Sequence, residues 1–117
     1  MTYNQFDIIL MLFPFTEKKG QKQRPAVVLS GQAFNSAHDH SIVAMVTTAS
    51  VTQWPSDIPI ENLSQAGLRA PCVARAKLFT IADELVIGRV GSLSKSDSNR
   101  VNAWAASLLS APMSTDK

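Results

Sequence analysis

Four cations fall between Lys18 and Arg24 (Lys18, Lys19, Lys22 and Arg24), with no acid among them and only Glu17 just outside. The segment joins two apolar runs, Asp7–Phe13 and Ala26–Ser30, through Phe13-Pro14-Phe15-Thr16 on one side and an Arg-Pro step on the other. Cations on a loop beside a rigid β core are what binding to a polyanion requires. A second basic set, Arg69, Arg75 and Lys77, follows the Gly67 turn. Net charge is only +2, so two local patches on a nearly neutral body suit a small anionic footprint better than a long duplex. The competing reading is a pair of solvated faces. As phosphate contacts, Lys18, Lys19, Lys22 and Lys77 predict binding that weakens with salt.

Other residue types narrow the chemistry. No clustered Asp/Glu set of the kind that holds divalent ions in two-metal nucleases is present, so neither a metal nor another cofactor is expected. His38-Asp39-His40 offers two imidazoles without a clear third ligand and reads better as a polar turn. Trp54, beside Pro55 in a loop, suits stacking on an unpaired nucleobase and equally suits covering a subunit interface. The single Cys72 cannot form an internal disulfide and reads as a small buried residue, which fits a reducing compartment.

The elements that position these groups are mostly strands. Asp7–Phe13, Ala26–Ser30, Ser41–Thr48, Asp57–Glu61, Cys72–Lys77 and Leu85–Val90 are short β-branched runs between turn residues. Several are apolar at consecutive positions, as in Ile42-Val43-Ala44-Met45-Val46, which predicts strands covered on both sides, in a small closed barrel or a sheet backed by another layer. Pro25 is placed at a strand start, Gly31 to His40 reads as a polar loop, and Ala66-Gly67-Leu68 as a turn. One helix comes last. Ser94 and Asp97 have capping-box spacing, and Val101, Trp104, Ala105 and Leu108 form an apolar stripe before Ala111-Pro112 stops the helix. Residues 113–117 read as a frayed tail. The sum is a mostly β, α+β protein.

At 117 residues the chain fits one domain, 1–117. With 45% hydrophobic and 17% charged residues it reads as globular, without an apolar run near the roughly 20 residues of a spanning helix. A cationic start and cleavage site are also lacking, so a cytoplasmic location is expected.

The collinear order of Asp7-Ile8-Ile9-Leu10, Phe13-Pro14-Phe15-Thr16, Arg24-Pro25-Ala26-Val27-Val28-Leu29-Ser30, Val46-Thr47-Thr48, Gly67-Leu68, Val73-Ala74-Arg75 and Arg89-Val90-Gly91-Ser92-Leu93-Ser94 resembles the MazF/PemK-like growth-inhibitor toxins. These are ribosome-independent mRNA endoribonucleases of type II toxin–antitoxin pairs. The resemblance implies an SH3-like barrel of the MazF/PemK/CcdB type with a C-terminal helix. It also implies a homodimer with an RNA groove at or near the subunit interface, a single-stranded RNA substrate, and a cognate antitoxin laying an acidic or amphipathic segment along that groove. By that similarity Arg24 and Thr47 are the catalytic residues, and Arg75 matches a position used for phosphate binding or catalysis. Thr48 is the alternative hydroxyl, since neighbouring strand residues face opposite ways.

RNA cleaves itself when its 2′-hydroxyl attacks the adjacent phosphate, leaving a cyclic phosphate. A protein assists by handling protons and by stabilising charge on the phosphorane. A guanidinium fork holds two phosphate oxygens but titrates above about 12, so Arg24 and Thr47 imply a positional, electrostatic and slow enzyme. Two departures stand out. Phe6 occupies the place where the family commonly has Gly, and Ala76 and Lys77 stand where some members carry an acid after the arginine. A barrel-sharing relative that inhibits gyrase without catalysis is disfavoured, because such chains end Trp-Gly-Ile and this one ends Ser114-Thr115-Asp116-Lys117. A degenerate member that binds RNA without cutting it is the remaining alternative.

Overall fold

The computed structural model describes residues 2–13, 22–50 and 53–110. Its strands are β1 (Asp7–Phe13), β2 (Lys22–Val28), β3 (His40–Thr48), β4 (Ile58–Pro59), β5 (Cys72–Ala82) and β6 (Val86–Ser92). They form one antiparallel sheet in the order β4-β5-β3-β2-β1-β6. Helices α1 (Gln32–His38), α2 (Leu63–Ala66) and α3 (Lys95–Leu109) complete the fold.

Side chains alternate along a strand, so consecutive apolar residues serve two faces. Ile8, Val27, Ala44, Val46 and Ala74 pack on one face with Leu93 and Val101. Their neighbours Ile9, Ala26, Val28 and Val43 pack on the other with Tyr3 and Ile81. This is the covering on both sides that the apolar runs predict.

The sheet is not closed by a ladder between β4 and β6 among the described residues. Residues 60–68 bridge its two edges instead. Gly67 takes a left-handed φ of 76°, and a Cβ on it would strike the carbonyl of Val90. A Cβ on Gly91 would likewise strike Ala66. Backbone meets backbone there because neither residue has a side chain. Asp97 ties the same bridge to α3: its backbone N–H donates to the Ser94 hydroxyl oxygen at 3.1 Å, the N-cap that the capping spacing predicts. Its buried carboxylate accepts the backbone N–H groups of Glu61 at 3.1 Å and Asn62 at 2.8 Å.

Several boundaries differ from the sequence reading. The segment expected as a polar loop contains α1, which lacks an apolar stripe and is anchored by a buried asparagine. Asn35 Nδ2 donates to the Tyr3 carbonyl at 2.9 Å. Pro25 lies inside β2, paired with Leu10, rather than at its start. The ladder to β3 begins only at Ala26↔Met45, so upstream β2 has a single partner strand, where a missing donor is tolerated. The fourth strand shrinks to two residues. The fifth runs on to Ala82 through a bulge, because Ala44 pairs with Leu78 and Met45 with Arg75, leaving Ala76 and Lys77 extra. Trp104 is half-buried against the first core, and Pro112 lies outside the described residues.

Phe6 adopts φ of 71°, the left-handed region that favours glycine. The backbone is held there from both sides, by Phe6 N–H to Val28 at 2.7 Å and Leu93 N–H to Phe6 at 2.9 Å. The turn survives without glycine.

Candidate functional site

The strand registers decide which candidates share a face. Met11 pairs with Arg24, Ala26 with Met45, and Met45 with Arg75. Arg24 is two residues from Ala26 and Thr47 two from Met45, so alternation puts Arg24, Thr47 and Arg75 on the face of the second core. The β2–β3 ladder stops at Ala26↔Met45, and Arg24 and Thr47 lie two residues beyond it on neighbouring strands. Thr48 pairs with Cys72 and belongs to the opposite face. It is exposed, whereas Thr47 and Arg24 are half-buried.

Arg75 sits in a built environment. Its Nε donates to Asp57 Oδ1 at 3.0 Å and its Nη2 to Asp57 Oδ2 at 2.8 Å, a two-pronged pair with both side chains about one-tenth exposed. The Trp54 indole lies against the guanidinium, 5.2 Å from ring centroid to Cζ. The paired guanidinium holds the Asp57 carboxyl below its ordinary range, against the opposing effect of burial, and Asp57 in turn raises Arg75. Asp57 is a candidate-site residue with no signal in the sequence. The acid lacking after Arg75 along the chain arrives from the edge strand instead, because β4 pairs Ile58 with Ala74 and so brings its preceding residue beside Arg75.

The 53–57 corner is fixed on several sides. Trp54 N–H donates to Asp57 Oδ2 at 3.0 Å, and Asp57 N–H returns to the Trp54 carbonyl at 3.0 Å. Trp104 Nε1 donates to the Ser56 carbonyl at 2.7 Å, so α3 braces the same turn. Lys77, exposed on the β5 bulge, places its ammonium 5.6 Å from the Trp54 ring centroid. The second basic set is therefore divided: Arg75 is neutralised by Asp57, while Lys77 presents its charge beside an aromatic.

Lys18 and Lys19 lie outside the described residues, and Lys22 opens β2 with its side chain likewise outside them. His40 Nδ1 lies 2.7 Å from the His38 carbonyl at the end of α1. No group of three or more metal-ligating side chains occurs among the described residues. Cys72 is buried, and burial pushes its thiol pKa up, away from reactivity. No helix among them is long and apolar enough to cross a membrane.

Chemically, this face offers one guanidinium and one hydroxyl on adjoining strands, a second guanidinium locked to a carboxylate, and an indole at the rim. Such a set can grip and orient a phosphodiester.

Solved structures share this architecture. A mycobacterial endoribonuclease in complex with its cognate antitoxin superposes with TM-score 0.72 at 13% identity, over 97% of this chain and 98% of that one. A MazE–MazF structure from Deinococcus radiodurans gives 0.73 at 18% identity, over 93% and 97%. The Mycobacterium tuberculosis toxin MazF-mt6 gives 0.66 at 20%, over 90% and 99%. At these identities the likeness establishes the fold. No curated protein matches the chain in sequence. The family model described as PemK-like, MazF-like toxin of type II toxin–antitoxin system matches residues 4–109, nearly the whole chain, and with the shared fold it assigns this protein to that toxin family.

Proposed function

We propose that this toxin is a metal-independent endoribonuclease that cuts single-stranded RNA, acting in the cytoplasm as a homodimer and restrained by a cognate antitoxin. The observation that supports the reading is the common sheet face of Arg24 and Thr47, on adjoining strands of a fold shared with an endoribonuclease solved in complex with its cognate antitoxin. Arg24 grips two non-bridging phosphate oxygens and stabilises the charge that builds on the phosphorane. Thr47 donates to the same group or orients the attacking 2′-hydroxyl. Arg75 adds field rather than a free fork edge on its Nε side, because Asp57 occupies Nε and Nη2. The antitoxin replaces RNA along this basic surface.

Incubating the purified protein with a long RNA, with and without EDTA, tests the reading. Discrete fragments ending in 2′,3′-cyclic phosphate, formed equally in EDTA, are expected. Arg24→Lys keeps the charge and loses the fork, so it should slow cleavage by about 100-fold or more. RNA retention without cutting would instead mark a binding-only member. Indifference to RNA would favour a toxin directed at a protein.

A further inference from the structure

Trp54 is a large aromatic with 37% of its surface exposed, yet the turn that carries it is fixed by several bonds and the Arg75 guanidinium lies against its ring. Its own N–H is tied to Asp57, Asp57 grips Arg75 through two bonds, and the Ser56 carbonyl between them is pinned by Trp104. A residue that merely filled space would be buried, and a merely solvated one would not be braced. Fixing the turn beneath an exposed indole and setting a guanidinium against its ring lowers in advance the ordering cost of stacking something on it. The charge around it is selective: Lys77 lies 5.6 Å from the ring and offers an ammonium to a phosphate passing the rim. Trp54 and Asp57 themselves line a cavity of about 450 Å³ with Ala49, Gln53, Pro59 and Val73, at the strand end that carries Thr47.

We propose that Trp54 is a stacking platform for one unpaired nucleobase of the RNA, and that Asp57 is its positioning residue, acting through Arg75. Aromatic stacking accepts any base face, while the cavity walls limit which base fits, so this corner contributes to the choice of cleavage site. The inference deepens the RNA-cutting reading and rests on it.

The test uses a randomised single-stranded RNA pool, 2′-O-methylated so that it binds without being cut, and an oligomer of the same backbone lacking bases. Trp54→Ala should weaken binding of the pool by about tenfold. Trp54→Phe, which keeps an aromatic face and controls for misfolding, should lose far less. On the base-free oligomer wild type and Trp54→Ala should bind alike, since phosphate contacts alone remain. Asp57→Asn should move pool binding in the same direction as Trp54→Ala, and on cleavable RNA it should raise KM more than it lowers kcat. Equal pool affinity for wild type and Trp54→Ala overturns the proposal even if the wild type cuts RNA. A Trp54→Ala protein that turns monomeric with affinity unchanged overturns it in favour of an interface role. A wild-type protein that neither binds nor cuts RNA removes the functional reading and this one with it.

Discussion

Each flank of the sheet carries an aspartate–arginine pair, and the two behave differently. On β1 and β6, Asp7 is buried and accepts Arg89 Nε at 2.8 Å, but the arginine side chain is 53% exposed. On β4 and β5, Asp57 grips Arg75 at two atoms and both side chains are withdrawn from water. In both pairs the carboxylate also accepts a backbone N–H from three residues upstream, Asn4 to Asp7 at 2.8 Å and Trp54 to Asp57. The local turn is the same device. What differs is whether the guanidinium is shared with water, which screens Arg89 and leaves Arg75 committed. The Asp7 pair fastens the turn that holds Phe6 in its left-handed conformation, whereas the Asp57 pair organises a face that RNA is proposed to meet.

Three measurements test that contrast. The largest effect is expected at Arg75. Arg75→Met leaves Asp57 enclosed without its cation and removes the support beneath Trp54, so RNA cleavage should fall by about 100-fold. Cleavage within a few fold of wild type would reduce the pair to ordinary surface chemistry. Next comes acid sensitivity. Asp57 titrates below its ordinary value in the folded state, so its contribution is complete above the unfolded value and is lost as pH drops through the folded one. Thermal melts between neutral pH and about pH 3 should show Asp57→Asn with a flatter acid limb than wild type. Parallel limbs would mean that the carboxylate is not held by Arg75 in solution. The smallest effect belongs to Arg89→Met, expected to cost about 1 kcal/mol, roughly 4 °C in Tm, with cleavage unchanged. A loss of activity there would extend the functional surface to the opposite flank.

Local signals made much of this molecule legible before any coordinates. Alternating apolar neighbours such as Ile8 and Ile9 marked strands wedged between two packed layers, and Ser94 three residues before Asp97 marked the start of α3. Helix α1 escaped because Gln32–His38 has no apolar period and its Gly31 cap makes no side-chain bond. Its stability comes from Asn35 reaching Tyr3, 32 positions earlier. Phe6 shows the reverse. Its departure from glycine was visible in the chain, but that its backbone would keep the glycine conformation depended on bonds to Val28 and Leu93.

The amino-acid order alone determined that most of the chain forms apolar strands and that one capped helix comes last. Those follow from propensity, periodicity and side-chain type, which act over a few residues. Tertiary structure alone decided that Thr47 rather than Thr48 shares a face with Arg24, that Asp57 supplies Arg75 with its acid, and that Asp97 fastens the bridge between sheet edges as well as its own helix. Register and burial set those relations between segments tens of residues apart, where charges meet only after the backbone has closed around them.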